Sequence, residues 1–110
     1  MTSFLTVSQR KSHDCARRRD AAGAIMAELA SYAEAKGGRF LIFGSVAKGR
    51  MTNQSDIDVL IDFPPETEPE AWQFVEQACR RHGLSGDIYS VSTTKHEFID
   101  RVSSGAVVLP

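Results

Sequence analysis

Paired cysteines, metal-spaced histidines, a charge excess of either sign and long apolar runs are all missing from this chain. Its two cysteines, Cys15 and Cys79, stand far apart in segments that read as helical, so free thiols are expected rather than a disulfide or a zinc cluster. His13, His82 and His96 show no ligand spacing; His82, just ahead of Gly83, suits the negative end of a helix dipole, and the other two read as surface residues. A formal net charge of -1 lacks the broad attraction that a long nucleic acid requires. Arg10, Lys11, Arg17, Arg18 and Arg19 do cluster near the N-terminus, and the cluster reads as a solvated helix face. No segment approaches the roughly twenty apolar residues of a membrane span, and Met1 to Val7 lacks a basic start followed by an apolar stretch. The expectation is a cytoplasmic protein without repeats, low-complexity tracts or membrane contact.

What is present suits one compact domain over residues 1–110: 42% of 110 residues are hydrophobic, enough for a single core and no second one. Any site must then be shallow or shared. From residue 14 to about residue 35, Ala22, Ile25, Met26, Leu29 and Ala33 recur at helical steps, and Gly37 and Gly38 end the run. Residues 40–43 are wholly apolar between glycines, as in a strand buried on both faces. Residues 56–62 alternate, with Ile57, Val59 and Ile61 on one face and Asp56, Asp58, Leu60 and Asp62 on the other.

After the Phe63-Pro64-Pro65 break, Thr67 and Glu70 predict a capping box for a helix carrying Trp72, Val75, Ala78 and Cys79 and stopped by Gly83. Residues 87–91 predict a third strand. Thr94 with Glu97 predicts a short helix with Phe98 and Val102 on its apolar side, ended by Gly105. Residues 106–109 read as a final strand or as a docking segment for a neighbour. Trp72, Tyr89 and the phenylalanines read as core. The order gives an α+β class, a mixed sheet of three or four strands with helices mainly on one side.

The chemistry gathers in residues 44–58. Gly44 lets backbone approach a phosphate, Ser45 can hydrogen-bond its oxygens, and Val46-Ala47-Lys48 predicts a helix start that attracts negative charge, with Lys48 or Arg50 adding a point charge. Asp56 and Asp58, two apart on a strand, leave the same face; side by side they repel unless a divalent cation lies between them. Magnesium favours one or two carboxylates plus substrate phosphates. Asp87, if its strand lies beside that of Asp58, supplies a third acid that can hold a second ion and accept a hydroxyl proton.

Gly44-Ser45-Val46-Ala47-Lys48-Gly49, then five residues, then Ser55-Asp56-Ile57-Asp58 resembles the signature of the minimal nucleotidyltransferases of the polymerase-beta superfamily. The likeness extends over most of the chain, because these proteins also run helix, strand, signature turn, aspartate strand, helix and a further strand bearing the third acid. It implies a nucleotidyltransferase fold, two Mg2+ ions on Asp56, Asp58 and Asp87, and ATP as substrate, gripped by Gly44 and Ser45 with Lys48 beside them. Many such proteins are antitoxins paired with a helical HEPN-domain toxin, and some add AMP to a toxin tyrosine. The resemblance therefore implies an adenylyltransferase acting on a HEPN partner, as a hetero-oligomer with that toxin or a homo-oligomer. Two alternatives stay open: an antitoxin that masks its toxin by contact alone, and transfer of AMP to a small-molecule hydroxyl.

Overall fold

The first helix starts well before its apolar stripe. In the computed structural model, which describes residues 7–44 and 57–110 and their side chains from residue 16 onward, α1 spans Val7–Lys36, seven residues ahead of the expected start at Asp14. Residues 7–13 hold neither glycine nor proline, so an established helix extends through them at low cost. Among the described side chains of α1, burial begins at Ala21 and continues through Ala22, Ile25, Leu29 and Ala33. Ile25 and Leu29 are fully enclosed, which for side chains of this size is worth about 1.5–3 kcal/mol each. Gly37 then closes α1 in the left-handed region at φ 79°, its N–H donating to the Ala33 carbonyl at 2.9 Å.

Among the described residues the remaining elements are β1 (Arg39–Phe43), β2 (Ile57–Asp62), α2 (Glu68–Arg81), β3 (Gly86–Ser90), a 3-10 turn (Val91–Thr93), α3 (His96–Ser103) and β4 (Val107–Leu109). Among the described residues the sheet has four strands in the order β3-β2-β1-β4, with β1 antiparallel to β2 and to β4, and β2 parallel to β3. The parallel pair needs a crossover, and α2 provides it. The class is α+β, as expected, and the tail resolves as β4.

Period-two alternation sorts the sheet into two faces. Phe40, Ile42, Ile57, Val59, Ile61 and Leu109 meet the buried stripe of α1 and Ala71, Val75, Ala78 and Cys79 of α2. The opposite face carries Phe43, Asp58, Leu60, Asp87 and Tyr89, and α3 packs there through Phe98. Among the described residues, two helices thus cover one side and the short α3 covers part of the other. Leu41 and Leu60 are buried on that second face, so β1 and β2 are enclosed from both sides.

Both expected capping boxes are absent. Thr67 does precede α2, but it takes helical angles (φ -107°, ψ -6°) and makes no side-chain cap; its hydroxyl donates instead to the Pro64 carbonyl at 3.2 Å. The Pro64 carbonyl also accepts the N–H groups of Thr67 and Glu68, so a proline turn starts this helix. At α3 the preceding residue is Lys95, extended and without a side-chain cap, and Thr94 lies outside the helix. Trp72 is only half-buried, and Tyr89, read as core, is exposed. Among the described residues no helix is long and apolar enough to cross a membrane.

Candidate active site

Parallel pairing of β2 with β3 sets Asp58 opposite Asp87, between the Ile57–Gly86 and Val59–Ile88 pairs. Because Ile57, Val59 and Ile88 point into the core, the two carboxylates leave the other face side by side. Neighbouring strands lie about 4.8 Å apart, so the two carboxylates spring from positions that one small cation can bridge. Asp58 is half-buried on an inner strand, whereas Asp87 is exposed on the edge strand. The expectation that the strand of Asp87 lies beside that of Asp58 agrees with this register.

Gly44 follows β1, whose Phe43 is the partner of Asp58 on β2. It adopts φ 77°, and a Cβ built there would collide with Oδ2 of Asp58. A side chain at position 44 would therefore fill the space the Asp58 carboxylate occupies. This is a cradle for a carboxylate and, beside it, for a group that needs close backbone approach. Hard oxygen donors fixed on adjacent strands beside such a glycine fit magnesium, which completes its shell with water and phosphate.

Asp56, Ser45, Lys48 and Arg50 lie outside the described residues, as does the expected helix start at Val46-Ala47. Among the described residues no three His, Cys, Asp or Glu side chains converge as a metal cluster. Of the expected acids, the structure brings together Asp58 and Asp87.

Beyond the carboxylates, three rings share the same face: Phe98 lies edge-on to Phe43 at 5.8 Å and tilted against Tyr89 at 5.4 Å, and Phe43 is 5.7 Å from Tyr89. Next to them Phe43 and Gly44 form one wall of a cleft of about 310 Å³, and Arg101, Val102, Ser104 and Gly105 form the other. The Arg101 guanidinium sits 5.7 Å from the centre of the Phe98 ring. Sequence reasoning passed over Arg101, because an exposed arginine on a short helix gives no local signal of a cleft.

A second charged group lies on α1 and α2. Glu28 accepts hydrogen bonds from Arg81 and from the His82 ring, and the His82 contact is the main cause holding the Glu28 carboxyl below its usual range. His82 caps the C-terminal end of α2, as its position before Gly83 suggested, with Glu28 as a partner not foreseen. Cys79 is a free thiol, and burial pushes its pKa up, which makes it unreactive.

Residues 25–104 match the family of the Nucleotidyltransferase domain. The chain belongs to that family. As a nucleotidyltransferase-domain protein it falls among the transferases, and the matched segment holds Gly44, Asp58, Asp87 and Arg101. Among solved structures the chain is similar to a Sulfolobus solfataricus protein provisionally assigned as a nucleotidyltransferase, at 25% identity and a TM-score of 0.48, covering 88% of this chain and 83% of that one. No curated protein matches the chain.

Proposed function

We propose that this nucleotidyltransferase-domain protein transfers AMP from ATP, with magnesium, to a hydroxyl on a partner protein. The acceptor is a tyrosine of a HEPN-family toxin, and the chain acts as its antitoxin. The observation that carries the reaction is the in-register pair Asp58 and Asp87 beside the Gly44 cradle. The toxin as acceptor rests on the signature at residues 44–58. The edge position of Asp87 supports a large acceptor, because a protein loop can reach an exposed edge strand that a deep pocket would exclude.

Asp56, Asp58 and Asp87 would hold magnesium, which when bound neutralises charge on the phosphoryl oxygens. Gly44 and Ser45 would bind the phosphates through backbone N–H and hydroxyl donors, with Lys48 as a nearby positive charge. Asp87 would accept the proton of the attacking hydroxyl. A bond forms from that oxygen to the α-phosphorus, the bond from the α-phosphorus to the bridging oxygen breaks, and pyrophosphate leaves. Most of the rate then comes from holding the hydroxyl in line.

The test is to incubate the chain with the product of the adjacent gene, ATP and magnesium, and to measure intact masses. Gain of one or more AMP by the partner, abolished in Asp58→Asn and Asp87→Asn, is the expected result. A tight complex without mass change would reduce the chain to a mask, and an adenylylated small molecule formed without any partner would redirect the acceptor.

A further inference from the structure

The cleft between Gly44 and the end of α3 holds, apart from Gly44, no residue given a role above, and among the described residues its one charged lining residue is Arg101. Gly44 belongs to both places: a Cβ built on it would meet the Asp58 carboxylate, and its backbone also lines the cleft. A ligand that leaves the carboxylates by way of Gly44 therefore enters the space that Arg101 lines.

Several features suit that guanidinium to an anion. Phe98 supports it from below, and Phe98 is itself held by Phe43 and Tyr89, so the cation rests on a packed ring platform. The Ser104 hydroxyl donates to the Arg101 carbonyl at 3.2 Å, securing the backbone at this end of α3. Arg39 and Arg81 are engaged by Asp62 and Glu28, whereas among the described residues the cleft lining contains no carboxylate. The volume, about 310 Å³, lies at the small end of ligand sites and suits a phosphate tail better than a whole nucleotide.

We propose that Arg101 binds the β- and γ-phosphates of the nucleoside triphosphate, opposite the cation-binding carboxylates, and afterwards the pyrophosphate product. The inference rests on the nucleotidyl-transfer reading and adds a residue to it. Bidentate contact from a planar guanidinium suits two neighbouring phosphate oxygens, which a lysine reaches only as a point charge.

Calorimetric titration of the wild type, Arg101→Ala, Arg101→Lys and Arg80→Ala with MgATP, MgAMP and magnesium pyrophosphate tests it, with circular dichroism to verify the fold of each variant. Arg101→Ala should weaken MgATP and pyrophosphate binding about tenfold or more while MgAMP changes less than about twofold. Arg101→Lys should recover part of the loss, and Arg80→Ala, on the outer face of α2, should match the wild type. MgATP affinity undiminished in Arg101→Ala, or an equal loss for all three ligands, overturns the role of Arg101 and leaves the nucleotidyl-transfer reading standing. A wild type that binds none of the three overturns both.

Discussion

Replacing Gly44 by alanine tests the candidate site and the backbone that shapes it in one step. At φ 77° an L-residue costs about 1–2 kcal/mol, and the stiffer unfolded chain returns about 0.4–1 kcal/mol of that. The new Cβ also collides with Asp58 Oδ2, so the carboxylate must turn away. The backbone part nets at most about 1.6 kcal/mol, and turning the carboxylate away adds a few tenths more, so the loss is on the order of 1–2 kcal/mol, which for a domain of this size lowers Tm by about 5–10 °C. MgATP affinity should fall about tenfold or more, because the displaced carboxylate no longer faces the cation. Thermal denaturation followed by circular dichroism and calorimetric titration read the two effects separately. In Gly44→Ala/Asp58→Ala the collision has no partner, so the added cost of the alanine should shrink to the backbone part. A Gly44→Ala protein with wild-type Tm and wild-type MgATP affinity would refute the reasoning.

Gly86 on β3 faces the Cys79 sulfur, with a built Cβ only 2.8 Å away. Gly86→Ala alone should therefore destabilise by about 1–3 kcal/mol, and Gly86→Ala/Cys79→Ala should recover part of that; additive losses in denaturant titrations would show that the two do not share space. Leu29→Ala removes a fully enclosed side chain from the stripe of α1 and should cost about 2–5 kcal/mol in urea unfolding. The Glu28 carboxyl titrates below its ordinary value of 4.5, so its stabilising effect is complete above that pH and is lost as pH falls through the depressed native value. The Tm difference between wild type and Glu28→Gln should accordingly vanish in acid and reappear above the ordinary value; a difference constant with pH would show that Glu28 carries no native-state charge interaction.

Strands were the most legible part of the sequence, because a buried strand announces itself by apolar content and alternation. β2 begins at Ile57, and its two faces are those that the alternation of Ile57, Val59 and Ile61 against Asp58 and Leu60 set out. Capping was legible in the wrong terms: Thr67 and Thr94 have the right chemistry three residues before a glutamate, but the Pro64 turn and the extended Lys95 determine the backbone there. The start of α1 was missed because residues 7–13 carry no apolar period, and periodicity reports burial rather than helix as such. In the candidate site, Asp58 was visible from its strand. Asp87 depended on a parallel pairing that nothing local to residues 86–90 specifies. Tyr89 and Arg101 acquire their surroundings only when α3 folds back over β1, which is information held by the topology.

Asp58 and Asp87 lie 29 positions apart in the chain, and what joins them is the outermost ribbon of the sheet, docked after the α2 crossover. As an edge strand, β3 has a hydrogen-bonded neighbour strand on one side only, and elements so placed can open locally at less than the cost of global unfolding. Local fraying of β3 would then part Asp58 from Asp87 without melting the protein, and amide exchange along residues 86–90 becomes a direct gauge of how often the candidate pair stands together.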